Sequence, residues 1–277
     1  MTHRQWSFPR SLFEQSIEIL SGLVHPESLD WYRVLGVNVD FDGMWLIAGD
    51  TCNLGIVNWP LYQAQIPEEE LHVALDFNKV RSAVRAARID ESDQDDELLV
   101  SSRSGFAWNG NDLGPGLESY LREIDWRMLL FEYPHDSTSF YTLPRQSFTE
   151  NVKSITGKGG CRLGMRRPDK NGNYGLWMWS GIEDRSGEYL KFRTGDGGGA
   201  CGFAPAEYVF HGGQLLTALQ TCQGDQVNVV FNHGAGAAGK PAWILQELGP
   251  WLDFRFVTQP VAVPNNGKLK YSPAQGF

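Results

Sequence analysis

FPRSLFEQSIEIL, residues 8–20, returns later in the chain as LPRQSFTENVKSI, residues 143–155. When the two Pro-Arg pairs are aligned, apolar residues coincide at i, i+4 and i+7, which is the spacing of one face of an α-helix. The coinciding pairs are Phe13 with Phe148, Ile17 with Val152, and Leu20 with Ile155. A short extended run precedes each copy, and a proline near a helix start costs little. Both copies are therefore predicted to be a strand followed by an amphipathic helix.

The same pattern recurs between the two copies and again after the second. Counting 67 residues on from each apolar position leads to another apolar residue. The matches are Val80, Val84 and Ala87 in DFNKVRSAVRAAR, and Leu215, Leu219 and Cys222 in GGQLLTALQTC. A fixed period of this length indicates a repeated half-domain, although any amphipathic helix would match a template of three apolar positions. The sequence thus predicts four helices at near-equal spacing.

Extended runs with turn residues between them follow each predicted helix. VLGVNVDF and MWLIAGD flank Asp42-Gly43, a dipeptide typical of hairpins because glycine tolerates positive φ. Each quarter therefore reads as a strand, a helix and two or three antiparallel strands. We expect an α+β fold of two domains, with antiparallel sheets outside and the helices on one face. The predicted limits are 1–120 and 139–264 for the domains, 121–138 for a linker and 265–277 for a loose tail.

The composition narrows the class of protein. Hydrophobic residues at 42% and charged residues at 21% are ordinary for a globular protein, and no apolar run is long enough to cross a bilayer. The start of the chain lacks the apolar segment of a signal peptide. The four cysteines lie far apart without a CxxC pair. We therefore expect a cytoplasmic protein without a disulfide framework or a zinc site.

The net charge of −9 argues against a protein that coats nucleic acid by bulk attraction, but it leaves room for a local basic strip. Part of the acidity is concentrated in IDESDQDDE, residues 89–97, which has no apolar periodicity and is predicted to be a solvated loop. A calcium site is the alternative. The stretch lacks the central glycine and the ligand spacing of an EF-hand, so the loop is favoured.

Catalytic signatures are missing from the sequence. It contains no GxSxG or HExxH, and Gly157-Lys158 is followed by Gly159 where a phosphate loop needs Ser or Thr. GxGxxG does occur at residues 197–202, but a dinucleotide site needs a helix directly afterwards, and FAPAEYVF follows instead. Trp177 and Trp179 are predicted to share one strand face, with carbohydrate stacking as the functional alternative to packing. We predict a protein that is not an enzyme and uses no cofactor or metal.

The helices carry positive charge instead. Arg81, Arg85 and Arg88 recur at i, i+4 and i+7, so they form a stripe beside the apolar face of the second helix. Such a stripe is able to follow phosphates, and an ordinary solvated helix face is the alternative. The predicted nucleic-acid contacts are Arg10, Lys79, Arg81, Arg85, Arg88, Arg145, Lys153 and Lys158.

With four strand-helix-strand units in two domains, the chain resembles the sliding clamps of DNA replication, the bacterial polymerase III beta subunit and proliferating cell nuclear antigen. YVFHGGQLLTALQTCQGDQVNVVF at 208–231 is similar to the clamp pattern of a Tyr- and Leu-rich helix, then Gly-Asp, then a strand. KPAWIL at 240–245 and DFRFVTQPVAV at 253–263 are similar to the final clamp strands, and VLGVNVDFDGMWLIAGDT at 34–51 is similar to a clamp strand pair.

The resemblance implies a ring of six domains that encloses duplex DNA, slides along it and tethers a DNA polymerase. Two-domain clamps assemble as trimers, so the resemblance implies a homotrimer of bacterial or phage type, opened by a clamp loader. It would act in the cytoplasm, at the nucleoid or in the cytoplasm of a phage's host. The family also binds short partner peptides, and the matching pocket positions are Leu130, Tyr133, Val257, Gln259, Pro260 and Val261.

The inner charge departs from the family pattern. Glu14 and Glu18 occupy the positions of Arg81 and Arg85 in the first helix, while Leu216 and Gln220 occupy them in the fourth. Loops could supply the missing charge through Arg162, Arg166, Arg167 and Lys170. Three hypotheses therefore remain: a ring-forming clamp, a monomeric clamp-like protein that binds DNA or a polymerase on one face, and a β-rich enzyme or carbohydrate-binding protein.

Overall fold

The protein was analysed as a computed structural model. The structure describes residues 4–24, 33–41, 43–49, 53–60, 70–87, 96–102, 105–117, 138–156, 161–166, 175–180, 190–193, 207–210, 212–232, 242–248, 252–258, 263–265 and 268–270. The chain divides into two compact units, Met1–Ile124 with Gly249–Phe254, and Asp125–Leu248 with Arg255–Phe277. No helix among the described residues is both long enough and apolar enough to cross a membrane.

The first unit contains two helices and two groups of antiparallel strands. Its elements are β1 (Arg4–Pro9), α1 (Arg10–Ser21), β2 (Val34–Asp40), β3 (Gly43–Gly49), β4 (Asn53–Trp59), β5 (Leu71–Asp76), α2 (Phe77–Ala87), β6 (Asp96–Ser102), β7 (Gly105–Trp108) and β8 (Asn111–Gly114). The strands lie in the orders β1-β6-β7-β8 and β5-β2-β3-β4.

The second unit repeats this plan. Its elements are β9 (Thr138–Pro144), α3 (Arg145–Thr156), β10 (Cys161–Arg166), β11 (Gly175–Ser180), β12 (Leu190–Arg193), β13 (Glu207–Phe210), α4 (Gly212–Thr221), β14 (Gln226–Asn232), β15 (Ala242–Leu248) and, from Arg255 onward, β16 (Asp253–Thr258). The strand orders are β9-β14-β15-β16 and β13-β10-β11-β12. Each strand thus has the same neighbours as its counterpart in the first unit, so the repeat that the sequence suggests is a repeat of topology.

The apolar positions that define the sequence repeat form the core beneath the helices. Eleven of the twelve are buried, and the side chain of the twelfth, Ile155, lies outside the described set. Burying such a face stabilises a helix far more than its intrinsic propensity does. In the first unit Phe13 lies 5.0 Å, centroid to centroid, from both Phe8 and Trp108. The α+β prediction and the helix positions are therefore confirmed.

The predicted hairpins are present. Asp40 pairs with Gly43, so that Gly43 is the first residue of β3, and Ser102 pairs with Gly105 in the second quarter. Gly43 has φ +147, and a Cβ there would lie 2.3 Å from the carbonyl oxygen of Trp59. Only glycine fits this position without strain. The third-quarter strands also pair as predicted, β10 with β11 and β11 with β12.

Three segments differ from the sequence-based expectation. Asp96 and Glu97, predicted as part of a solvated loop, begin β6, where they pair with β1. β4, NLGIVNW, was not anticipated. Within the predicted loose tail, β18 (Lys268–Lys270) pairs with β17 (Val263–Asn265), a short hairpin whose two intervening residues are Asn-Gly. The predicted linker, 121–138, lies almost wholly outside the described residues, so the domain limits stay a prediction.

Candidate nucleic-acid interface

The start of α2 is fixed by a side-chain cap. Oδ1 of Asp76 accepts hydrogen bonds from the backbone N–H groups of Asn78 at 2.8 Å and Lys79 at 3.1 Å. These are two of the N–H groups that a helix start leaves without a partner within the helix. The N–H of Phe77 donates to the carbonyl of Arg33 at 2.9 Å. The helix that carries most of the predicted basic residues is therefore anchored at its first turn.

One face of α2 is buried and the other carries positive charge. Its buried residues are Phe77, Val80, Ala83, Val84 and Ala87. Lys79 and Arg85 are exposed and Arg81 is half-buried. At 3.6 residues per turn, Arg81 and Arg85 lie on one flank of the buried face and Lys79 lies on the other flank. The helix contains no acidic residue, and none of these three basic side chains forms an ion pair with any residue that the structure describes. Positive charge that no carboxylate neutralises is available to an anion.

Lys79 lies against the end of β8. A Cβ built on Gly114 would come within 2.7 Å of the Lys79 Nζ, so the absence of a side chain at this position leaves room for the ammonium group. Gly114 also has φ +82, which favours glycine on conformational grounds. The glycine in β8 thus leaves room for the Lys79 ammonium group.

Equivalent helix positions have the same exposure in all four helices. The repeat places Glu18, Arg85, Lys153 and Gln220 in one set, here called the exposed row, and all four are exposed. It places Glu14, Arg81, Thr149 and Leu216 in a second set, here called the flanking row, and all four are half-buried. The exposure of these helix positions is therefore repeated in all four helices, whereas their charge is not. In the first unit α2 is basic and α1 acidic at these positions; in the second unit α3 carries Lys153 and α4 carries no charged residue.

Arg10 and Arg145, which the sequence predicts as phosphate contacts, are engaged inside their own units. The Arg10 guanidinium donates through Nε to Glu14 Oε1 at 2.8 Å and through Nη2 to the carbonyl of Ala87. The Arg145 Nε donates to the carbonyl of Gly224 at 2.5 Å. Both side chains are only partly exposed. These donors hold protein carbonyls, which sequence spacing had no means of revealing, and the predicted phosphate contacts of Arg10 and Arg145 stay a prediction.

Several other predicted residues lie outside the described part of the chain. Among the basic residues these are Arg88, Arg167, Lys158 and Lys170, while Arg162 and Arg166 lie in β10 with undescribed side chains. Of the predicted peptide pocket, Leu130, Tyr133, Gln259, Pro260 and Val261 are likewise outside. Val257 is described: it lies in β16 and is 5% exposed, so the side chain belongs to the packed interior. The pocket stays a prediction.

Within the described residues there is no group of three or more His, Cys, Asp or Glu side chains able to hold a metal ion. Trp177 and Trp179 both lie in β11, where they pair with Gly164 and Arg162 of β10.

Comparison with known proteins gives structural matches only. No family model matches the sequence, and no curated protein matches it. Among solved structures, the DNA polymerase sliding clamp from Pseudomonas aeruginosa superposes with a TM-score of 0.66 at 14% identity, over 93% of this chain and 66% of that one. The sliding clamp from Bacillus subtilis gives 0.66 at 15% identity, over 94% and 64%. The DNA polymerase III beta subunit from Thermotoga maritima gives 0.70 at 12% identity, over 94% and 66%.

These likenesses establish the fold of the chain. They extend over nearly all of it, whereas the chain spans only 64% to 66% of the length of these three proteins. At identities this low the shared architecture does not carry the site residues with it, so function has to be argued from the side chains.

Proposed function

We propose that this chain, which has the fold of the DNA polymerase sliding clamps, is itself a processivity clamp that closes a ring around duplex DNA and tethers a DNA polymerase. The observation that carries the proposal is the unneutralised positive charge of exposed Lys79 and Arg85 and half-buried Arg81 on α2, in a fold shared with DNA clamps. In this proposal the four repeated helices line the hole and face the phosphates. The protein would bind DNA without acting as an enzyme.

Enclosure accounts for the overall charge. A closed ring holds DNA by topology, so its phosphate contacts need only be weak and independent of sequence. A net charge of −9 is compatible with this role if the positive residues are concentrated on the helices, because close charges act over a Debye length of about 10 Å at 0.1 M salt. Lys153 on α3 would add a contact in the second unit. Arg88 and Lys158 remain proposed contacts on the same reasoning.

Ring closure needs two complementary edges on each chain. In the described part of the molecule β8 ends the order β1-β6-β7-β8, and β12 ends the order β13-β10-β11-β12. Edge strands present unpaired backbone N–H and C=O groups, and pairing them head to tail between copies would satisfy those groups and generate a ring. We propose a homotrimer, in which three chains of two units would supply six units around the hole.

The assembled mass tests this arrangement. At micromolar concentration, light scattering is expected to give three times the chain mass of 31.0 kDa, because a head-to-tail contact that closes leaves no free edge. A mass equal to one chain would contradict the ring. It would support the second candidate, a monomer that binds DNA on one face. This candidate is favoured because the unneutralised positive charge of the described helices lies on α2 and α3.

Restoring charge to α1 is expected to strengthen binding. Glu18 occupies the exposed row in the position of Arg85, so Glu18→Arg should raise the affinity for duplex DNA by roughly tenfold and steepen its dependence on salt. Fluorescence anisotropy with a labelled duplex at several salt concentrations measures both. Glu70→Arg is the control, since it makes the same change of charge outside the helices. An equal gain in DNA affinity from both variants would show that the exposed row makes no specific contribution to DNA binding.

Partners would dock through short peptides in a pocket formed by Gln259, Pro260 and Val261 with Leu130 and Tyr133, beside the buried side chain of Val257, and a loader would open the ring. Apolar anchors of a peptide suit a small apolar pocket beside a strand. A bacterial or phage replication system in the cytoplasm is the setting that this proposal implies.

A further inference from the structure

The start of α1 is bound to the end of α2 through one guanidinium group. Arg10 donates to the carbonyl of Ala87, the last residue of α2, and to the Glu14 carboxylate one turn further along α1. The Arg10 and Glu14 side chains are each 16% exposed. The last carbonyls of a helix have no partner within it and carry partial negative charge, so a cation placed there is favourable.

The second unit contains the same arrangement at the repeat-equivalent position. Arg145 opens α3 as Arg10 opens α1, and its Nε donates to the carbonyl of Gly224, three residues beyond the end of α4. The backbone N–H of Arg145 also donates to the carbonyl of Asp225 at 2.8 Å. In both units the first residue of one helix therefore holds the chain at the end of the other.

We propose that Arg10 and Arg145 are positioning residues for DNA binding: each fixes the second helix of its unit against the first, and Arg10 thereby sets the position of the Arg81 and Arg85 side chains. In this proposal neither guanidinium needs to contact phosphate. The inference rests on the proposed function for its effect on DNA, while the holding of the helix ends can be observed without DNA. A guanidinium suits this role because its rigid fork donates in several directions at once, which a lysine ammonium on a flexible stem does not reproduce.

The two arrangements, here called clasps, differ in the carbonyl that is held and in the residue four positions after the arginine. Glu14 pairs with Arg10, whereas the equivalent residue in α3 is Thr149, whose hydroxyl donates to the carbonyl of Arg145 at 2.8 Å. An acidic residue in the flanking row of α1 therefore has a structural partner, and its presence at a DNA-facing helix is explained by the arginine that it orients. Hydrogen bonds between charged groups are worth more than neutral ones, so the clasp of the first unit is expected to be the firmer.

Two readouts on matched variants test the proposal. Arg10→Met should speed amide hydrogen exchange in residues 80–87 roughly tenfold, because a charge-assisted bond to the end of α2 is lost. It should also lower duplex affinity about three- to tenfold by the same factor at every salt concentration, since no phosphate contact is removed. Arg85→Met should have the opposite pattern of effects. It should reduce the slope of log K against log salt by the amount expected for one phosphate contact per chain, and it should leave the rate of amide exchange unchanged. Arg145→Met should speed exchange in residues 215–225.

The conservative variant separates positioning from direct contact. Arg10→Lys keeps the charge but not the fork, so the affinity deficit should persist, whereas a residue that contacts phosphate would be rescued by lysine. The proposal is overturned if Arg10→Met flattens the salt dependence as Arg85→Met does, or if Arg10→Lys restores wild-type affinity. If the wild-type protein does not bind duplex DNA, the proposed function fails, while unchanged exchange in Arg10→Met would separately remove the clasp.

Discussion

Replacing Lys79, Arg81 and Arg85 together by glutamine is expected to reduce the affinity for duplex DNA at 50 mM salt by about 10³-fold. These residues carry all the positive charge of α2, and none is paired with an acid within the described residues. Each phosphate contact releases counterions, so log K changes with log salt by about 0.9 per contact. In the proposed trimer, loss of three proposed contacts from every chain should therefore flatten the salt dependence strongly as well as weaken binding.

A matched variant controls for changes in the helix itself. Asn78, Ser82 and Ala86 are the other exposed residues of α2, and converting all three to glutamine alters the same face without altering its charge. This control should bind DNA as the wild type does, with an unchanged salt dependence. Circular dichroism and urea unfolding should show that both triple variants keep the fold, because exposed substitutions of this kind cost little. If the variant without charge on α2 binds DNA nearly as well as the wild type, α2 is not part of the DNA interface.

The repeated fold could be predicted from the sequence because the spacing of the apolar residues is repeated. Phe13 and Phe148 hold the same place in two helices, and burial of such positions largely dictates where a helix lies. Their counterparts 67 residues on are buried for the same reason. β4 was missed because a fully buried strand has no alternation of polar and apolar residues to reveal it.

The candidate site was only partly readable. The stripe of Arg81 and Arg85 follows from helical periodicity, and the structure leaves Arg85 exposed and Arg81 half-buried. Arg10 follows the same local rules, yet its partner carbonyl at Ala87 lies 77 residues away in sequence. Residue type and spacing identify where charge can be exposed; whether it is exposed depends on partners that only the tertiary fold supplies. Glu14 at i+4 was the one local signal that Arg10 had a partner in its own helix.

The measurement that tests enclosure most directly is retention on circular DNA. Protein is diluted until its subunits separate, mixed with a nicked plasmid circle, and concentrated so that rings reassemble around the DNA. The subunits are then cross-linked to one another. The mixture is passed through a sizing column at 1 M salt, where the Debye length of about 3 Å suppresses phosphate contacts. A closed ring should stay with the circle and be released almost completely when a single enzyme cut makes the DNA linear. Protein that leaves the uncut circle at this salt, or that stays on the linear form, would contradict the account.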